Sequence, residues 1–123
     1  MSQSKGFPLP RRGEIWLVDW SPGRGSEQAG RRPALIVQSD HGNLSKTYPN
    51  TIIVTISTKG REIPFHVLIA KSPRNGLKVD SYVKCEQVLT ISKSRLIGTP
   101  RGRLTQDKMA EVAEALKLSL ALP

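Results

Sequence analysis

A small, strongly curved β-barrel with one C-terminal helix is the fold that this sequence predicts. Three observations carry the prediction. Short β-branched runs recur as far as Ile91, separated by Gly, Pro and Asn. From Thr105 onward the apolar residues change to helical spacing. A chain of 123 residues supports one hydrophobic core, which suits a mainly β domain of short twisted strands. The expected organisation is a flexible leader over residues 1–10 and a single domain over 11–123.

The elements follow in order. Ile15 to Trp20 reads as the first strand, begun after Arg12-Gly13 and stopped by Ser21-Pro22-Gly23. Pro33 to Gln38 is continuously apolar and β-branched, which suits a strand buried on both faces, and Thr51 to Ser57 has the same character. Phe65 to Ile69 is a fourth strand, and Asn75-Gly76 marks a tight turn before the next. Tyr82 to Ile91 is the longest. Strand alternation places Val83, Cys85, Leu89 and Ile91 on one face and Tyr82, Lys84, Glu86 and Thr90 on the other. In the last segment Thr105 suits an N-cap, and Asp107 suits the positive end of the helix dipole. Met109, Val112, Ala113, Leu116 and Leu120 then recur at helical spacing. Leu118 and Leu122 widen the apolar arc, so this helix is expected to cover the barrel or to meet a partner.

Charge narrows the function. The chain has 19 Lys and Arg against 10 Asp and Glu, a net charge of +9. The segment from Thr105 holds Lys108 and Lys117 against Asp107, Glu111 and Glu114, so the excess lies in residues 1–104. Such an excess on a compact body points to an anionic partner, nucleic acid before an acidic protein or a membrane surface. Cys85 is the only cysteine, which excludes an internal disulfide and a thiolate metal cluster. No run approaches the ~20 apolar residues of a spanning helix, and the N-terminus lacks a signal-peptide pattern. A cytoplasmic location is therefore expected.

Residues 25 to 38, Gly-Ser-Glu-Gln-Ala-Gly-Arg-Arg-Pro-Ala-Leu-Ile-Val-Gln, form a polar loop that runs into an apolar strand. Pro33 disfavours helical geometry at Arg32 and so holds it extended at the strand rim. A planar guanidinium there is well suited to gripping a phosphate. For an isolated Arg-Arg pair, a solvated loop would be the commoner explanation.

Four blocks give the chain a recognisable likeness. They are Gly13-Glu14-Ile15-Trp16-Leu17-Val18-Asp19, Gly25-Ser26-Glu27-Gln28-Ala29-Gly30-Arg31-Arg32-Pro33-Ala34, Thr55-Ile56-Ser57-Thr58, and Lys84-Cys85-Glu86-Gln87-Val88-Leu89-Thr90-Ile91. In this order they resemble the MazF/PemK family of toxin endoribonucleases, from about Arg12 to Leu122. The resemblance implies an SH3-like barrel, a homodimer, cleavage of single-stranded RNA without metal or other cofactor, and neutralisation by a small acidic antitoxin protein.

The chemistry that this family performs needs particular groups. An RNA 2′-hydroxyl attacks the adjacent phosphate and passes through a more negatively charged phosphorane. Donors positioned on those oxygens commonly contribute about 10²–10³ in rate each. Arg32 falls at the family's catalytic arginine and is expected to act as an electrostatic clamp, because its high pKa makes it a poor acid. The family's threonine hydroxyl at the end of the third strand is replaced by Ser57, with Thr58 next to it. Alternation points the two to opposite faces, and Ser57 is expected to supply the hydroxyl, with Thr58 the alternative. Lys84 and Glu86 share a face and fall at the basic and acidic positions of PemK-type relatives. A carboxylate held ionised by a cation can act as the base, although such a pair alone is more often a surface ion pair. Glu27 is a second acid candidate. Arg24, Gln28, Arg31, Lys59 and Lys84 are the expected RNA contacts.

His41 and His66 match no family position and are read as ordinary polar residues. Trp16 and Trp20 are read as core, with base stacking the alternative for them and for Tyr82. Two other functions share the pattern. One is a CcdB-like gyrase poison, for which a Trp-Gly-Ile-type ending would be expected in place of Ala121-Leu122-Pro123. The other is a non-catalytic barrel that binds nucleic acid through charge.

Overall fold

The structure is a computed structural model that describes residues 6–20 and 30–123. Six strands form one antiparallel sheet: β1 (Glu14–Asp19), β2 (Arg31–Ile36), β3 (Asn50–Ser57), β4 (His66–Ile69), β5 (Ser81–Ser92) and β6 (Leu96–Arg103). The order across the sheet is β4-β5-β3-β2-β1-β6. Among the described residues two α-helices, the one-turn α1 (Asp40–Asn43) and the long α2 (Gln106–Leu120), and a 3-10 turn at Lys93–Arg95 complete it. The five strands expected from the apolar runs all form, with ends displaced by a residue or two. β6 was not expected, because Gly98, Pro100 and Gly102 interrupt its pattern. Among the described residues it pairs only with β1, and it lies at one end of the sheet. A proline is tolerated there because an edge strand has one side without a ladder to donate to.

Continuous apolar runs arise because both faces of the central strands are covered. Ile15, Leu35, Val54, Val83 and Cys85 face α2 and form one cluster with its Val112 and Ala115. Trp16, Val18, Ala34, Ile36, Ile53 and Ile91 form a second cluster on the other face. Thr105 does cap α2, its hydroxyl accepting the Lys108 amide at 3.2 Å, while Leu118, Leu120 and Leu122 stay exposed.

The described ladders do not join β4 to β6, so the sheet is not closed by strand pairing as a barrel would be. Its ends nevertheless approach one another. The Arg103 amide of β6 donates to the Arg74 carbonyl at 3.0 Å, in the connection between β4 and β5. The Asn75-Gly76 turn lies in that connection, which runs from residue 70 to residue 80 and is longer than the tight hairpin expected. Gly76 has φ +73°, and a Cβ on it would stand 2.3 Å from the Arg101 carbonyl oxygen. Only glycine fits that approach.

The alternation expected along β5 holds through Glu86 and then fails. On β3, the neighbours Val54 and Thr55 pair with Val88 and Lys84, so Cys85, Glu86 and Gln87 have no counterparts. Past this bulge the faces exchange, and Ile91 joins the cluster opposite to that of Cys85. The bulge is held at several points. The Cys85 amide donates to the Phe65 carbonyl at 2.8 Å. The Cys85 carbonyl accepts from Ser119 Oγ of α2 at 2.8 Å, and Thr55 Oγ1 bonds Gln87 Oε1. Bulges re-aim side chains in this way beside functional sites.

Gly60, between β3 and β4, lies against the Tyr82 ring: an added Cβ would be 2.4 Å from it. We expect Gly60→Ala to lower stability by about 1–3 kcal/mol through overpacking, read from the urea midpoint. An unchanged midpoint would show that the ring can move aside without cost.

Candidate active site

A groove of about 590 Å³ opens on the face of the sheet that carries Lys84 and Glu86. Arg32, Ser57, Lys84 and Glu86 all line it, together with Trp20, Thr55 and Gln87. The backbone explains the convergence. Arg32 lies in β2 opposite Val18 of β1, Ser57 ends β3 opposite Tyr82, and the bulge carries Glu86 and Gln87 to the groove.

Each group has a chemical capacity. The Ser57 Oγ accepts the Lys59 amide at 3.0 Å, which leaves its own hydrogen to donate into the groove. The Glu86 carboxyl lies below its ordinary pKa. Partial burial pushes it up, but the hydrogen bond from His66, its own backbone amide and the positive charge of its surroundings, His66 before Lys84, together outweigh that effect. Its Oε2 lies 2.8 Å from His66 Nε2. The Cys85 thiol, turned into the core beside it, is pushed up to about 11 by burial and then by the Glu86 charge. Cys85 is therefore a small apolar core residue and not a nucleophile.

The remaining sequence candidates divide. Thr58 lines a different groove, with Leu17, Leu77 and Val79. Arg31 is exposed opposite Asp19, and Lys59 is exposed beside Ser57; neither lines the groove that holds Arg32. Arg24, Glu27 and Gln28 lie outside the described residues. Trp16 is core, its Nε1 donating to Glu14 Oε1 at 2.9 Å, whereas Trp20 both packs on the second cluster and faces the groove.

His66 was passed over in the sequence and is the principal addition. It pairs with Lys84 across the β4–β5 ladder. It is 20 residues from Glu86, and the ladder register brings the two together. Gln87 and Thr55 were also missed, since their approach depends on the bulge. Among the described residues no group of three or more His, Cys, Asp or Glu is placed to hold a metal ion.

Comparison with known proteins fixes the family. The model of the PemK-like, MazF-like toxins of type II toxin–antitoxin systems matches residues 11–120. The chain belongs to this family. It is 40% identical over 118 residues to the endoribonuclease MazF9 of Mycobacterium tuberculosis, covering 93% of this chain and 98% of that protein. It is 43% identical over 118 residues to the endoribonuclease MazF of Staphylococcus epidermidis, covering 91% and 92%. Among solved structures, a mycobacterial endoribonuclease in complex with its cognate antitoxin superposes with a TM-score of 0.75 at 27% identity, covering 93% and 97%. A MazE-MazF structure from Deinococcus radiodurans shares the fold at a TM-score of 0.75 and 22% identity, covering 94% and 98%. The MazF-like fold of six antiparallel strands and a C-terminal helix is thus common to this chain and these toxins.

The lowered Glu86 pKa has a consequence for this toxin's stability. A depressed carboxyl contributes stability that is present above its ordinary value, 4.5, and is lost as pH falls through the folded value. Urea unfolding from about pH 6 to about pH 3 should therefore show a shallower acid loss for Glu86→Gln than for the wild type. Identical slopes would mean that Glu86 titrates alike in the folded and unfolded chains.

Proposed function

We propose that this chain is the endoribonuclease toxin of a toxin–antitoxin pair, cutting single-stranded RNA by metal-independent attack of the 2′-hydroxyl on the adjacent phosphate. The observation that carries the reading is the single groove shared by Arg32, Ser57, Lys84 and Glu86 on a body of net charge +9. Membership of a family whose curated relatives are endoribonucleases supports it.

The roles follow from the chemistry. Glu86, held ionised, takes the proton from the 2′-hydroxyl. The freed oxygen forms a bond to phosphorus, and the charge that builds on the non-bridging oxygens falls to the Arg32 fork and the Ser57 hydroxyl. The bond from phosphorus to the 5′-oxygen then breaks, and that oxygen takes a proton from the Lys84 ammonium. The products are a 2′,3′-cyclic phosphate and a 5′-hydroxyl end. Arg24, Gln28, Arg31 and Lys59 hold the flanking RNA, and Glu27 either supports Arg32 or serves as a second acid. Trp20 and Gln87 at the groove offer a stacking face and an amide for base choice, which makes cleavage sequence-selective, with messenger RNA the natural target.

The wider assembly belongs to the same reading. The solved relative bound to its cognate antitoxin supports a small acidic antitoxin that occupies the basic surface. The toxin acts as a homodimer in the cytoplasm; among the described residues no helix is long and apolar enough to cross a membrane. Residues 11–123 form the single domain, and the leader reaches onto it through Phe7 and Pro10. The approach of β6 to the β4–β5 connection supports an SH3-like barrel as the finer description of the curled sheet.

Purified protein incubated with RNA in EDTA should yield the cyclic phosphate and 5′-hydroxyl ends, and Arg32→Ala should lose at least about 10²-fold in rate while remaining folded. Ser57→Ala should lose activity where Thr58→Ala does not. Cleavage that stops in EDTA, or that survives in Arg32→Ala, would contradict the mechanism, and loss in Thr58→Ala alone would move the hydroxyl role to that residue.

A further inference from the structure

The groove carboxylate is held from behind by a histidine with both ring nitrogens engaged. His66 Nε2 lies 2.8 Å from Glu86 Oε2. On the other side of the ring, Nδ1 accepts the backbone amide of Arg61 at 3.0 Å. An amide nitrogen can only donate, so Nδ1 carries no hydrogen and the ring proton sits on Nε2. The tautomer is therefore set by the backbone, and Nε2–H is the donor to Glu86. The two side chains differ in access: the imidazole is 6% exposed and the carboxylate 35%. A nearly buried ring is thus spent on orienting a group that solvent and ligand can reach.

The other groups around the ring do not compete for this bond. From β5, Lys84 lies across the ladder from His66, and the Tyr82 ring stands 6.1 Å from it at a 54° tilt. From α2, Glu111 and Glu114 line a second groove together with His66. Glu111 is paired with Lys108 at 3.3 Å and Glu114 with Lys117 at 3.4 Å. The β4–β5 ladder is already fixed by its backbone pairs from Val67↔Val83 to Ile69↔Ser81, so the dyad is not needed to join these strands.

We propose that His66 is a positioning residue for RNA cleavage, its Nε2–H holding the Glu86 carboxylate ionised and aimed into the groove while the Arg61 amide locks the imidazole in the tautomer that allows this. The proposal rests on the reading of Glu86 as the base. No proton leaves His66 in the reaction: the 2′-hydroxyl proton goes to Glu86, and the imidazole keeps its own. Second groups that orient a catalytic side chain act in this way through hydrogen bonding and not by touching substrate.

The test is the Glu86 side-chain carboxyl titration, followed by carbon NMR in the wild type, His66→Ala and His66→Gln, alongside cleavage rates against pH. Gln keeps an N–H donor near the Nε2 position, whereas Ala keeps none. In His66→Ala the Glu86 midpoint should rise, and the acid limb of kcat should move to higher pH by the same amount. There kcat should fall about 10-fold to 100-fold with KM unchanged, less than the about 10²–10⁴-fold that an acid–base group itself commonly supplies. His66→Gln should restore most of all three. An unmoved Glu86 midpoint and acid limb in folded His66→Ala, with Glu86→Gln inactive, would overturn the inference and leave the base assignment standing. Wild-type cleavage by Glu86→Gln would overturn both.

Discussion

Cys85, Glu86 and Gln87 have no counterparts on β3, and the arrangement of the whole groove depends on how that interruption is stabilised. An unpaired stretch in a half-buried strand leaves backbone groups that must find partners elsewhere. Here the Cys85 amide finds the Phe65 carbonyl, and the Cys85 carbonyl finds the Ser119 hydroxyl of α2. Cys85 itself fills the core, so the bulge has a fixed inner side. Its outer side is then free to present Glu86 and Gln87, the first held by His66 and the second by Thr55. The C-terminal helix thus does more than cover a hydrophobic face: one of its hydroxyls closes the backbone accounting of the strand that carries the acid.

A sheet covered on both faces supplies the rigidity that such a site needs. Arg32 and Ser57 stand on strands whose neighbouring residues, Ala34, Leu35, Ile53 and Val54, are fully buried. At ~25 cal/mol per Å² of apolar surface removed from water, this packing holds the strands in place far more firmly than the exposed charges above them could. Among the described residues the basic side chains are correspondingly separate from the core, with one exception. Lys93, between β5 and β6, is buried and donates to the Gly42 and Ser45 carbonyls at 2.9 and 3.0 Å. Its ammonium also lies over the rings of Phe7 and Tyr48. Burial pushes its pKa down, and carbonyls and ring faces replace the water it loses. It ties the leader and the α1 region to the sheet, away from the groove.

What was legible in the sequence follows physical lines. Apolar, β-branched runs announced β2 and β3, which carry consecutive buried residues, and alternation marked the longer β5. β6 was hidden because an edge strand tolerates Gly98, Pro100 and Gly102. The Thr105 cap and the helix after it were legible because capping and periodicity are local. The bulge was not, since strict alternation is the default reading and nothing local in Cys-Glu-Gln marks three residues without partners. Arg32, Ser57, Lys84 and Glu86 were singled out by resemblance to a family more than by charge or spacing. His66 could not be, because its meaning lies in a register that pairs it with Lys84 and brings it to Glu86.

The central claim is that one groove, shaped by the β5 bulge, receives the scissile phosphate. A structure of the protein with an RNA strand bearing a 2′-deoxy substitution at the cleavage position tests it most directly. The account predicts a non-bridging phosphate oxygen within hydrogen-bond distance of Arg32 and Ser57, with the 2′ carbon facing Glu86. A strand bound on another face, with Arg32 and Glu86 both remote from every phosphate, would contradict it.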